Sequence, residues 1–296
     1  FDSEGGLHII SFSIGLVCAD AVDADGADLL RNAAIALKRA KVAGPGNDAY
    51  YTAEVGVLTR QRVHMLHDLR SALDNRDLFV VYQPQIDLAS GAVVGIEALL
   101  RWRTAAGEFV PLDQVIPVAE QSGLIVAVGS WVLRTALVAQ GELAAHGYPL
   151  RIAVNVSPVQ FRQPGFLDVV RDAIAESAID PSILELEITE SVALSGWVQT
   201  VERMHAIKAL GALIAIDDFG TGFSSLSYLA RLPADCLKID RSFVHALDDQ
   251  HSGTPIAAMV IQLGKQLGMR VLAEGVEDCE QLQTLVDLGC HEAQGM

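Results

Sequence analysis

Cysteine is scarce. The 296 residues hold four, Cys18, Cys236, Cys279 and Cys290, with no CxxC pair and no regular spacing. That argues against a disulfide scaffold and for a reduced, cytoplasmic compartment. No apolar run approaches the ~20 residues of a membrane-spanning helix, and no signal-peptide pattern is present. Basic residues are also few, 21 Lys and Arg against 37 Asp and Glu, for a formal charge of −16. This balance argues against broad, charge-driven binding to polymeric nucleic acid, yet a small phosphate ester can still bind if cations mediate the contact. HExxH, GxSxG and Walker lysine-loop patterns are absent. Trp102, Trp131 and Trp197 are too dispersed for a base-stacking stripe.

What remains is a chain able to bury a large core, 51% hydrophobic and 20% charged. Residues 1–52 read as strand then helix: "LHIISFSIGLVCA" is rich in β-formers, and "GADLLRNAAIALKRAKVAG" has helical spacing that ends at Gly44 and Pro45. One strand and one helix close no core, so this segment reads as the end of a domain. Residues 53–77 read as a helical connector, with Leu58, Leu66, Leu69 and Leu73 at helical intervals. His64 and His67 on it suit a solvated face better than a metal site. Both ends of the chain read as cut, the end of the last domain included, which leaves room for a membrane anchor or sensor upstream.

From residue 78 short apolar strands alternate with amphipathic segments. The strands are "LFVVYQPQID", "VVGIEALLRW", "LRIAVNVS", "ILELEITE", "ALIAIDDFG", "CLKID", "RVLAEGVE" and "CHEAQG". Eight strands in about 220 residues suit a TIM-like (β/α)8 barrel over 78–296. The turn near Ser90 and Gly91 is too short for a parallel crossover, so the first strand should be irregular and antiparallel to the second. A doubly wound sheet is the alternative.

Catalytic groups of such barrels sit at the C-terminal strand ends. Those ends carry Gln83, Glu97, Asn155, Glu187, Asp217 with Asp218, Lys238, Glu274 and Gln294. A single acid there is easily a helix cap or a surface charge. Five carboxylates in one pocket would oppose folding unless cations sit among them, and oxygen-only ligands favour Mg²⁺ or Mn²⁺. Adjacent Asp217 and Asp218 should point to opposite faces of a strand, but both can turn inward where it meets the loop "FGTGFSSL". Two ions roughly 4 Å apart can clamp an in-line displacement at phosphorus. Lys238 is the one cation of the set, an ion pair with Asp240 being its plainer reading. Arg101 suits a phosphate oxygen.

The motifs "EALLRW" (97–102), "NVSPVQF" (155–161), "ELEITES" (185–191), "DDFGTGFSSLSYL" (217–229), "LKID" (237–240), "AEGVE" (273–277) and "QG" (294–295) resemble, in order and spacing, the EAL family of cyclic di-GMP phosphodiesterases. The resemblance covers roughly residues 58–296. It implies hydrolysis of cyclic di-GMP to linear pGpG with two Mg²⁺ or Mn²⁺ ions. It implies Glu97, Asn155, Glu187 and Asp217 at the first metal, and Asp217 and Asp218 at the second. Lys238 and Glu274 would position water, and Gln294 would support that network. Glu190 would brace the 218–226 loop, and Gln83, Arg101 and Asp240 would contact substrate. A homodimer is compatible with the family. Residues 11–17 and 29–51 are similar to the last part of a GGDEF diguanylate cyclase domain. A catalytically silent cyclic di-GMP receptor is the competing function. An enolase-like proton abstraction with a Lys base fits the paired aspartates poorly.

Overall fold

The computed structural model describes residues 2–3, 6–7, 11–18, 25–75, 77–104, 106–220, 229–247 and 254–295. The chain divides into two compact units, 1–71 and 72–296. In the first, strands Ile14–Leu16 and Asp48–Tyr50 pair in parallel across the helix Gly26–Val42. Asp25 caps that helix by accepting from the Ala27 amide, and Ala36 and Ala40 are its buried residues. The second strand of this βαβ unit, "DAY", is too short and polar to announce itself in the sequence. The connector is one helix, Ala53–Asn75, and the boundary between the units falls within it.

The second unit is a closed eight-stranded barrel. Its strands are β1 (Leu78–Asp87), β2 (Val93–Trp102), β3 (Arg151–Asn155), β4 (Leu184–Thr189), β5 (Leu213–Phe219), β6 (Cys236–Ile239), β7 (Arg270–Val276) and β8 (Glu292–Gly295). They follow one another around the barrel in chain order, and β8 closes onto β1. β1 runs antiparallel to both its neighbours, while β2 through β8 are parallel. The reason is the one the short β1–β2 link imposes.

Alternation along these strands has two buried sides. Ile152 and Val154, Leu184, Leu186 and Ile188, Ile214 and Ile216, and Leu237 and Ile239 are all buried under the helical layer. Each contributes roughly 1.5–3 kcal/mol of transfer free energy. The intervening residues face the lumen and are largely polar. The helix Ile125–Ala145 shows how the outer layer is made: Val128, Val132, Leu133, Ala136, Leu137 and Gln140 form one buried stripe at three- and four-residue spacing. Gly123, left-handed at φ 79°, ends the preceding helix Leu112–Ser122 and turns the chain into it. The short helices Glu190–Leu194 and Arg241–His245 had no clear periodic signal, being little more than one turn each. Of the amphipathic segments expected between strands, the one between β5 and β6 lies mostly outside the described residues, which omit 221–228. Among the described residues no single helix is long and apolar enough to cross a membrane.

Candidate active site

The lumen holds two charged layers. At the N-terminal ends of the parallel strands, Arg151 of β3 meets Glu185 of β4 at 3.3 Å and Glu292 of β8 at 2.5 Å. Arg270 of β7 meets Glu292 at 3.0 Å and also pairs with Glu185. Two arginines and two glutamates cancel. Arg151 Nε and Glu185 Oε1 face each other at 3.3 Å without a hydrogen bond in good geometry, but the layer's charge is balanced within itself, so it needs no added cation.

The other end does not balance. Glu97, Glu187, Asp217 and Glu274 converge on Lys238, whose Nζ lies 3.6, 2.7, 3.3 and 2.7 Å from them respectively. Lys238 and Glu187 are almost wholly buried, at 1% exposure each. The ion pair with Asp240 is not what Lys238 makes. Asp240 instead caps the helix Arg241–His245, accepting from the Ser242 amide at 3.0 Å. With Asp218 the mouth carries five carboxylates and one ammonium.

Asp218 reaches the mouth by a backbone device. It takes the left-handed conformation, φ 54°, where the β5–β6 ladder shifts register. Such a conformation costs a side chain roughly 1–3 kcal/mol, and it breaks the strand alternation that would point Asp218 away from Asp217. Ligand oxygens of Asp217, Asp218 and Glu274 then lie within 4.8 Å of one another. The Asp217 Oδ1 accepts from the Asp218 amide at 2.9 Å. Gly275, also left-handed at φ 69°, sits where the β7–β8 ladder shifts beside Glu274, and a Cβ there would come 2.7 Å from the Cβ of Arg241. Two bulges thus aim acids at one place.

Electrostatics follow from the crowding. Burial, reinforced by Glu97 and Asp217, holds the Glu187 carboxyl well above the ordinary value despite Lys238. Burial also pushes Glu274 up, to about 7, with Lys238 opposing and Asp217 adding to the rise. Asp218 is raised by burial and by the charges of Asp217 and Asp240. Burial alone would raise Glu97, but Lys238 and hydrogen bonds from Gln294 and Asn155 bring it below its usual value. Burial would lower the Lys238 ammonium, yet the surrounding carboxylates hold it well above the ordinary lysine range. One ammonium is too little countercharge for this cluster.

Two expected strand-end residues are in mid-strand. Gln83 and Glu97 face each other across the β1–β2 ladder, because β2 runs on past the level of the mouth to Trp102. Asn155 Nδ2 donates to Glu97 Oε1 at 2.6 Å, and Gln294 Nε2 donates to Glu97 Oε2 at 2.5 Å and to Gln83 Oε1 at 2.8 Å. Gln83 Nε2 donates to the Gly295 carbonyl at 3.0 Å, so its amide already ties β1 to β8. Arg101 lies four residues beyond Glu97 on the same face of β2, and its guanidinium donates to the Leu100 carbonyl at 2.7 Å. Glu190 is buried and accepts from the Gly220 amide at 2.9 Å, one residue before the segment 221–228 that lies outside the described residues. Glu277, which carried no role in the sequence, approaches His245 at 3.3 Å.

Sequence reasoning missed Gln85, Arg151, Glu185, Arg270 and Glu292. The signal was present: each shares a strand face with a mouth residue, two or four positions away, as in Glu185–Glu187 and Arg270–Glu274.

The donor set fits divalent cations. Both Glu187 carboxylate oxygens are buried without a hydrogen-bond donor in good geometry, close though Lys238 is. Five carboxylates less one ammonium leave a formal charge of −4, which two divalent ions would cancel. All the donors are hard oxygens.

The EAL domain family matches over residues 66–296. A Pseudomonas aeruginosa protein named bifunctional diguanylate cyclase/cyclic di-GMP phosphodiesterase MucR is 38% identical over 287 residues, 97% of this chain and 42% of that one. Cyclic di-GMP phosphodiesterase NbdA of the same organism is 35% identical over 293 residues, 99% of this chain and 37% of its own length. The solved PaMucR phosphodiesterase in complex with c-di-GMP has a TM-score of 0.76 at 42% identity, over 78% of this chain and 94% of that one. The chain spans about a third to a half of the curated relatives it matches.

Proposed function

The chain belongs to the EAL domain family, and we propose that it hydrolyses cyclic di-GMP to linear pGpG with two Mg²⁺ or Mn²⁺ ions. The observation that carries the reading is the unbalanced acid cluster around Lys238 at one end of the barrel. Relatives named as cyclic di-GMP phosphodiesterases supply the substrate. Glu97, Asn155, Glu187 and Asp217 would hold one ion, and Asp217 with Asp218 the other. When bound, divalent ions supply Lewis-acid chemistry, making water nucleophilic at neutral pH and drawing charge from phosphate oxygens.

The chain's own groups do the rest. Lys238 and Glu274, in contact at 2.7 Å, would orient the attacking water, Glu274 accepting its proton. A carboxyl poised near neutrality is suited to that exchange. Gln294 and Asn155 hold both oxygens of Glu97, fixing its lone pairs. Glu190 would order the segment beyond Gly220, and Gln83, Arg101 and Asp240 would contact the dinucleotide. Incubating the purified protein with cyclic di-GMP and Mn²⁺ should yield pGpG, and EDTA should abolish the product. Binding of cyclic di-GMP without product would favour the receptor reading instead.

A further inference from the structure

Among the described residues, the two charged layers of the lumen are joined by a run of amide hydrogen bonds. Arg151 Nη2 donates to Gln85 Oε1 at 2.8 Å; Gln85 Nε2 donates to Gln294 Oε1 at 3.1 Å; Gln294 Nε2 donates to Glu97 Oε2 at 2.5 Å. We propose that Gln85 is a positioning residue for the metal site: it fixes which way the Gln294 amide points, and through it the carboxylate of Glu97. This rests on the metal-site reading above.

The direction of the run follows from its ends. A guanidinium has donors only, so the Gln85 oxygen must face Arg151 and its NH₂ must face Gln294. Gln294 must then turn its oxygen to Gln85 and its NH₂ to Glu97, an ionised carboxylate that only accepts. Cation at one end and anion at the other leave one consistent orientation for two amides. Gln85 is wholly buried and Gln294 nearly so, at 0% and 5% exposure, so water does not offer an alternative partner. The fold also makes room for the run. A Cβ on Gly95 of β2 would stand 2.6 Å from Gln85 Oε1 and 3.1 Å from Arg151 Nη2, so only glycine there admits the Gln85–Arg151 contact.

The test compares Gln85→Glu, which keeps the shape and reverses the polarity toward Gln294, with Gln85→Met, which keeps the volume and removes polarity. Mn²⁺ binding is measured by calorimetry without substrate, then kcat and KM for cyclic di-GMP, then the metal-free thermal midpoint. In Gln85→Glu the Gln294 oxygen meets a second acceptor. The amide either flips and turns its oxygen on Glu97 and Gln83, or stays and is pushed away from the new carboxylate, and each outcome disturbs the hydrogen bond to Glu97. Mn²⁺ affinity and kcat should each fall about tenfold or more, the size usual for partners behind metal ligands, with KM within about twofold of the wild type. Gln85→Met should lose less, and its loss stands as the test if Gln85→Glu does not fold. Variants that bind Mn²⁺ as tightly as the wild type would overturn the inference. So would losses at least as large in Gln85→Met as in Gln85→Glu, or losses in KM alone. A wild type that binds no Mn²⁺ sinks the metal-site reading itself and this inference with it.

Discussion

Replacing Lys238 by methionine keeps a chain of similar length and volume in place but removes the one positive charge that, among the described residues, touches Glu97, Glu187, Asp217 and Glu274. Without metal, Glu97, Glu187, Asp217 and Glu274 are then left without the ammonium they surround, and Arg241 offsets charge only at Asp218 among the described residues. Breaking a buried ion pair from one side costs roughly 3–5 kcal/mol. At about 2–4 °C per kcal/mol for a unit of this size, the metal-free midpoint should drop by roughly 6–20 °C. The size depends on pH in a definite sense. Glu274 has a folded pKa of about 7, above its ordinary 4.5. Its stabilising protonation is complete below the unfolded value and is lost as pH rises through about 7. Removing Lys238 shifts this and the already raised Glu187 further up, so the gap between wild type and variant should widen from pH 5.5 to pH 8. Thermal melts in EDTA at both pH values measure it, and saturating Mn²⁺ should narrow the gap at pH 8. Equal midpoints at pH 8 in EDTA would refute the view that Lys238 is the countercharge of the acid cluster when no metal is bound.

Asp217→Asn should lower turnover by more than the ~10–100-fold that partners behind a ligand cost, since it removes the carboxylate assigned to both ions; unchanged rates at saturating Mg²⁺ would contradict that assignment. Ca²⁺ should bind yet give slow turnover, because its longer, looser coordination suits the clamp poorly, and full rates with Ca²⁺ would count against it. Glu190→Ala deletes the acceptor of the Gly220 amide, a local loss of about 1–3 kcal/mol. It should lower kcat while Mn²⁺ binding, read by calorimetry, is kept; normal kinetics would make Glu190 a structural residue only.

Much of this was legible in the sequence because it is local. Strand and helix periodicities gave the barrel, and the five residues between β1 and β2 were too few for a crossover, which gave the antiparallel start. Polar residues closing apolar strands gave the mouth. The parts not legible depend on closure. Arg151–Glu185 and Arg270–Glu292 pair between the neighbouring strands β3–β4 and β7–β8, but the contacts of Arg151 with Glu292 and Gln85 and of Arg270 with Glu185 form only when the sheet closes into a barrel. Nor does any propensity announce that Asp218 takes φ 54°; without that, a strict two-residue alternation would turn one aspartate out of the site. Glu97 and Gln83 fell in mid-strand because strand lengths differ around the barrel, a matter of register rather than of composition.

A crystal structure of the chain grown with Mn²⁺ and a non-hydrolysable cyclic di-GMP analogue, with anomalous scattering recorded at the manganese edge, tests the central claim most directly. Two anomalous peaks roughly 4 Å apart are expected, one among Glu97, Asn155, Glu187 and Asp217 and the other against Asp217 and Asp218. A mouth with substrate bound and no manganese peak, Lys238 still filling the space between the acids, would contradict it.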